Sequence, residues 1–486
     1  MRLEPARPPT VAHRLIRAFV LRTGDSVYGR FAYRRVYRVV LELVRIVLSR
    51  DPNIVALVLR TASSTEHWEP GLSDLDLSVI MREQTPSERL PFVLRFWVRV
   101  ARLRVLAPMV REVDLLTLGE FADATTLAPG PMQSAKEYRV LSCRRRQRER
   151  VREVVTAANR VNAASQPQRD LLLRYSTFTL PAYLNLNRDP PAVSQRMLRH
   201  GLAKLHALCA PDAPRRVDHD ALTIGQAYRW MTDCCRPVSA GGGETLTVQA
   251  SSGVSELAEA LLRLVEEQLA RTIGRSPHEI AMVVWRPWHS DRLSLAFLLD
   301  DDLPAARYEV LLQAVRACHW ELSREWRARL VNDPLQFGLR RGCAVVMSRT
   351  MWRCWLTLFP MEAAALAAGG GVARSSESGA AALPDRAPLA DYAAMQYGVW
   401  LINRNDWVKE ETVRRRTLFR DMIRRARTLE VALRTGLLDA EAAGACPSDG
   451  ASLQELYKWS SEELARLRRV LAPASDTRRD DGAAPR

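Results

Sequence analysis

Lysine is nearly absent. Lys136, Lys204, Lys409 and Lys458 are the only four in a chain of 486 residues, so arginine supplies almost all of the 71 basic side chains. Arginine in place of lysine, with abundant alanine, is what a GC-rich genome imposes on exposed positions. The formal net charge of +16 therefore argues only weakly for a polyanionic partner. No run approaches the roughly 20 consecutive apolar residues of a membrane helix. The segment from Leu15 to Leu21 is broken by Arg17, which denies it a secretory h-region. Glu4 and Asp25 count against an organellar transit peptide. The expectation is a cytoplasmic protein that does not enter a membrane.

Other absences narrow the chemistry. None of the eight cysteines forms a C-x-x-C pair, and Cys234 and Cys235 are adjacent, which suits neither zinc spacing nor an ordinary disulfide. They read as small apolar residues in a reducing compartment. No histidine pairs at i, i+4 with a nearby glutamate, which excludes a zinc-hydrolase helix of the usual kind. G-x-x-x-x-G-K-[ST] and G-x-G-x-x-G loops are also missing.

What is present is an ordinary globular balance, 47% hydrophobic and 26% charged, long enough for two to four domains. The excess charge is uneven: residues 1–50 hold 11 arginines against 3 acidic residues. Residues 27–49 read as a helix, with Val36, Val40, Leu43, Val44 and Val47 on one face and Arg34, Arg38 and Arg45 on another. Ile54–Leu59 reads as a buried strand and Asp74–Met81 as an alternating one. Pro86 and Ser87 open an amphipathic helix that Pro108 closes, and Val110–Leu118 is a third strand.

Beyond this point helical periodicity dominates, over 169–186, 190–209 and 253–272. Strands return at Ile280–Trp285 and Leu293–Leu299, followed by a helix near 304–326. The expected division is a basic helical segment (1–50), a core (51–130), a helical region (131–275), a smaller α/β or helical segment (276–362), an Ala-, Gly- and Ser-rich linker (363–388), a C-terminal helical region (389–472) and a disordered tail (473–486). No internal repeat is visible.

The chemistry concentrates in Leu57-Val58-Leu59-Arg60-Thr61-Ala62-Ser63-Ser64, a turn containing Pro70-Gly71, and Ser73-Asp74-Leu75-Asp76-Leu77-Ser78. Residues two apart on a strand share a face, so Asp74 and Asp76 project together, with Cα atoms about 7 Å apart. Carboxylates held ~4 Å apart repel by about 4 kcal/mol at an effective dielectric of 20, so the pair calls for a cation or for solvent. Glu112 and Asp114 share a face of the next strand, and either can complete an oxygen cage of the kind hard cations select. The loop at Ser63 and Ser64 offers backbone N–H groups and hydroxyls to phosphate.

With these residues at this spacing, the chain resembles the nucleotidyltransferase superfamily of polymerase beta type over about residues 52–118. That family has a strand ending in Gly-Ser, then Ser-Asp-x-Asp on the next strand and a third Asp on a later one. The resemblance implies a small mixed sheet in an α/β (α+β) nucleotidyltransferase core, followed here by a large mainly helical region. It implies that Ser63 and Ser64 hold the nucleoside triphosphate, with ATP the expected nucleotide. Asp74, Asp76 and Asp114 would bind Mg²⁺ (Mn²⁺ being the alternative), and Asp114 would help deprotonate an acceptor hydroxyl. The expected acceptor is a small molecule, followed by RNA or protein. Ala62 stands where the family has glycine, and His67 where a second glycine is common. If the family's backbone has positive φ there, alanine costs roughly 1 kcal/mol or more. That substitution keeps open the alternative of a non-catalytic nucleotide- or RNA-binding protein with the same fold.

Elsewhere the ordinary readings prevail. Arg95, Arg99 and Arg102 form a solvent-facing stripe. Residues 404–430 carry 9 basic and 5 acidic side chains, a solvated helical face. Trp285, Trp288 and His289 read as core packing, and Asp300-Asp301-Asp302 as a polar loop start.

Overall fold

Ser26 starts the first long helix by accepting a hydrogen bond from Gly29 N at 3.0 Å, and α1 then runs Val27–Ser49. Its buried face is Tyr37, Val40, Val44 and Leu48; Val36, one step out of that register, is exposed. Asp51 accepts from Asn53 N and turns the chain into β1, Ile54–Thr61. β2 spans Leu75–Met81. Glu88 accepts from the backbone and the hydroxyl of Thr85, fixing the start of α2, Pro86–Leu106. β3 is Val110–Thr117, and Thr117 caps the short α3, Leu118–Ala122. A π turn, Asp123–Leu127, leads toward β4, Glu137–Cys143. These strands form a mixed sheet of order β3-β2-β1-β4, antiparallel except for the β2/β3 pair that α2 connects. β4 lies in a stretch whose composition suggested helix.

The computed structural model describes residues 19–20, 23–24, 26–61, 75–107, 109–127, 137–162, 167–180, 183, 191–209, 222–236, 247–248, 255–273, 280–286, 293–321, 345–367, 371–374, 386–438, 447–448 and 450–472. Ala62, Ser63, Ser64, His67, Asp74, Trp288, His289 and the tail from Pro473 lie outside them.

Helices follow: α4 (Arg148–Asn162), α5 (Pro167–Arg174), α6 (Pro191–Cys209), α7 (Ile224–Cys235) and α8 (Ser255–Ile273). The chain then builds β5 (Ile280–Trp285), β6 (Ser294–Leu299), α9 (Ala305–Glu321), β7 (Val345–Ser348), α10 (Arg349–Leu358), α11 (Pro360–Ala367) and β8 (Gly371–Arg374). The second sheet has the order β7-β6-β5-β8, with β5/β6 and β5/β8 antiparallel and β6/β7 parallel. That is the order and sense of the first sheet. A long helix precedes each sheet, and another makes each parallel crossover. The fold thus contains one unit twice, a repeat the sequence does not reveal. β8 also corrects the linker reading of 363–388, since Gly371–Arg374 is paired along β5.

The C-terminal region consists of α12 (Arg386–Trp407), α13 (Thr412–Thr435) and α14 (Leu453–Leu471). Gly436, at φ 72°, ends α13 in the left-handed conformation that glycine adopts without strain. These helices close over the first sheet. Trp97 Nε1 donates to Asn405 O at 2.6 Å, and Asn405 Nδ2 donates to Leu115 O of β3 at 2.5 Å. Glu120 accepts from Arg89 at 2.7 and 2.5 Å and from Arg404 at 2.7 Å.

The basic run on α13 is partly internal rather than a solvated face: Arg425 is buried, and Arg427 pairs with the buried Glu463 at 2.8 Å. Arg99 is also diverted, pairing with Asp51 at 2.7 Å, while Arg95 and Arg102 are exposed. Asp301 caps α10 through Thr350, and Asp300 pairs with Arg349, as a polar loop start would. Trp285 is core, donating to the buried Glu362 at 2.5 Å. Among the described residues no helix is long and apolar enough to cross a membrane.

Two predictions arise from this packing. A Cβ on Gly225 would stand 2.5 Å from Ala305 O, where α7 meets the start of α9. Gly225→Ala should cost about 1–3 kcal/mol by overpacking against backbone, read as a lower urea midpoint. A loss below 0.5 kcal/mol would mean the helices can part freely. Between α6 and α7, a hydrogen bond from Cys209 holds the Cys234 thiol below its ordinary value, while burial pushes Cys318 up to about 12. Pulsed iodoacetamide labelling from pH 5 to 9 should modify Cys234 at lower pH than an ordinary thiol and spare Cys318. Equal labelling of both would contradict the assignment.

Candidate active site

The site is built by register. Arg60 of β1 stands opposite Asp76 of β2 on one side and Tyr138 of β4 on the other. One step along, Val58 stands opposite Ser78 and Val140, and Ser78 lies beside Asp114 of β3 in the parallel ladder. Directly opposed residues share a face, as do residues two apart on one strand. Arg60, Asp76, Ser78, Asp114 and Tyr138 therefore occupy a single face. The alternate positions Leu57, Leu59, Leu77, Val79 and Leu115 are at most 3% exposed and anchor the other face. Glu112 lies where the β2/β3 ladder is irregular and is about half exposed.

Arg60 is the residue that the sequence reading missed as part of the site. Its guanidinium is buried, with Nη1 3.0 Å from Asp114 Oδ2 and Nη2 3.6 Å from Glu112 Oε2. Ser78 Oγ donates to the same Asp114 oxygen at 3.3 Å. Burial works against the arginine's charge, but Asp114, then Asp76 and Glu112, outweigh it and raise its pKa above the ordinary value. The available signal was a charged residue closing an otherwise apolar strand, three positions before Ser63. Tyr138 is set by Asn159, which accepts from its N–H at 2.8 Å and donates to its carbonyl at 3.1 Å. Its ring meets Phe121 edge-on, with centroids 5.3 Å apart.

Of the residues expected from sequence, Asp76 and Asp114 come together on this face, Asp76 half-buried and Asp114 buried. Ser63, Ser64 and Asp74 lie outside the described residues, among which no group of three His, Cys, Asp or Glu side chains is arranged for a metal. Oxygen donors from Asp74 and Asp76, two apart in sequence, suit a hard cation such as Mg²⁺. At Asp114 the fit is different, because one oxygen already serves Arg60 and Ser78. A divalent ion on that oxygen, ~4 Å from the guanidinium, would meet a repulsion of about 8 kcal/mol at an effective dielectric of 20.

The second sheet has the same scaffold without the chemistry. Its strands read IAMVVW, SLAFLL, VVMS and GVAR and contain no carboxylate. Trp285 and Ser294 form the last pair before its hairpin loop, the place Arg60 and Asp76 hold in the first. Compared with protein-family models, curated proteins and solved structures, the chain matches none.

Proposed function

We propose that the chain is a metal-dependent nucleotidyltransferase that moves a nucleoside monophosphate from a nucleoside triphosphate to an acceptor hydroxyl. The observation that carries the reading is the juxtaposition of Asp76 and Asp114 on one face of a mixed sheet, on adjacent parallel strands. Two carboxylates on the working face of a sheet are costly unless they serve a cation.

In this reading Ser63 and Ser64 bind the triphosphate oxygens, ATP being the first nucleotide to test. Asp74 and Asp76 hold Mg²⁺, with Asp114 nearby, and the ion when bound supplies positive charge at the triphosphate. The acceptor oxygen attacks the α-phosphorus in line. A new P–O bond forms as the bond from α-phosphorus to the bridging oxygen breaks, and pyrophosphate leaves. Asp114 takes the acceptor's proton. Positioning and charge supply the rate, with no covalent enzyme intermediate. A small hydroxylated molecule is the first acceptor to test, ahead of RNA or a protein side chain.

One observation favours a second reading. The ion pair with Arg60 neutralises Asp114 without any metal, as a nucleotide- or RNA-binding protein that had abandoned catalysis would require. Label transfer separates the two. The protein, Mg²⁺ or Mn²⁺, and each α-labelled nucleoside triphosphate are incubated with cell extract, beside an Asp74→Asn/Asp76→Asn variant. Label entering a small-molecule, RNA or protein fraction only with the unmutated chain supports transfer and identifies the acceptor class. Nucleotide binding with no Asp-dependent transfer supports the binding protein.

A further inference from the structure

α1 packs one side against β1 and β4, and the buried residues Tyr37, Val40, Val44 and Leu48 mark that side. A second apolar stripe is left largely uncovered. Seven of the twelve large apolar side chains exposed among the described residues lie between Phe19 and Ile46, with Val39 70% exposed. Exposure concentrated in this way marks a contact surface, which scattered apolar side chains would not. Along α1, Ala32, Val36, Val39, Leu43 and Ile46 recur at spacings of four and three, the period of a coiled-coil seam.

The stripe complements itself when two copies of α1 run antiparallel. One register sets Ala32 against Leu43 of the second copy and Val36 against Val39, each pair occurring twice by symmetry. Small then faces large in the outer layers, and side chains of equal size meet beside the axis. Arg35 and Glu42, each one residue before a seam position, are exposed. In the same register Arg35 of one copy flanks Glu42 of the other, again twice. A parallel pair gives Arg35 no such partner, because the buried Val40 holds the opposing position. Within its own chain Glu42 uses only Oε2, for Arg45 at 2.7 Å, and a carboxylate can accept from both arginines. Its side chain is 61% exposed, and an anionic bilayer would repel it.

We propose that the protein forms a two-fold dimer by antiparallel packing of α1 on α1 of a second copy, with Val36 and Val39 at the axis and Arg35–Glu42 pairs at the edge. The inference is independent of the transfer reading. From Ala32 to Leu43 the seam covers about 16 Å of helix, a small contact, so assembly is expected at micromolar concentrations.

Sedimentation equilibrium of the full chain, from nanomolar to high micromolar concentration, tests this. The mass should rise from one chain of 54.8 kDa toward two. Arg35→Glu and Glu42→Arg should each weaken the dimer by about tenfold, since each turns two attractions into two repulsions. The combined Arg35→Glu/Glu42→Arg variant should restore it to within about threefold. Val39→Asp should remain a monomer with native circular dichroism. A monomer at every concentration overturns the inference. So does a dimer that the single reversals leave unchanged, or one that the combined variant fails to restore. A monomer that sediments with phosphatidylglycerol vesicles, and loses them in Val39→Asp, makes a bilayer the occupant and overturns it too. Should Val39→Asp fail to fold, the charge swap alone decides.

Discussion

Glu120→Gln is expected to destabilise the protein by about 3–5 kcal/mol, the range for removing one partner of a buried ion pair. Glu120 sits in the first turn of α3 and answers two guanidinium groups at once, Arg89 from α2 and Arg404 from α12. Arg404 also lies over the Tyr457 ring at 5.1 Å, and Tyr457 donates to Asn405 Oδ1. A glutamine would accept fewer hydrogen bonds and leave two buried cations facing each other.

The same contacts set a pH dependence. Burial opposes the Glu120 charge, but Arg89, then Arg404, and the hydrogen bonds lower its pKa to about 2. Because the folded value lies below the unfolded one, the contribution is fully present above roughly pH 5 and is lost as pH falls toward 2. In all it is about 3 kcal/mol. The gap in urea-unfolding free energy between the unmutated protein and Glu120→Gln should therefore shrink steadily from pH 6 to pH 2. A gap independent of pH would show that the carboxylate charge is not what holds the contact.

On the proposed transfer reading, Asp76→Asn should lower nucleotidyl transfer by about 10³-fold, the equivalent of several kcal/mol of lost charge stabilisation in a metal-assisted reaction. Asp114→Asn should match that loss in rate but also unfold more easily, because it strands the buried Arg60. Glu112→Gln should change transfer by only a few-fold, since its side chain is about half exposed and 3.6 Å from Arg60. Rates from the label-transfer assay and unfolding midpoints from the same preparations test all three. Full activity in Asp114→Asn would move the proton acceptor elsewhere, and an inactive Glu112→Gln would make Glu112 the third carboxylate.

Where punctuation was strong, the sequence was enough to place the elements. α2 runs Pro86–Leu106 as read, because Thr85 and Glu88 fix one end and Pro108 follows the other. Ile280–Trp285 is unbroken and apolar, and it is a strand buried at every residue. β4 escaped notice because Glu137 and Arg139 dilute its alternation in a strongly basic stretch. β8 escaped because Gly371 and Ala373 have little strand preference, and its place depends on the partner β5. The repeated unit was hidden for a related reason. The two sheets share an order of pairing, which no local residue pattern encodes. At the site, spacing paired Asp74 with Asp76 and Glu112 with Asp114 and left open which of the latter would join the former, and it could not show a side chain crossing an intervening strand.

The bond from Asn405 to Leu115 has a consequence for synthesis on the ribosome. β3 is an outer strand, and the residue that covers its free edge is encoded 290 positions later. At roughly 5–20 residues per second, the emerging chain leaves that edge uncovered for about 15–60 s. Throughout that interval the half-built protein offers a strand edge to any neighbour on the same polysome. Chaperone occupancy on nascent chains should therefore persist until the segment around Asn405 has cleared the exit tunnel.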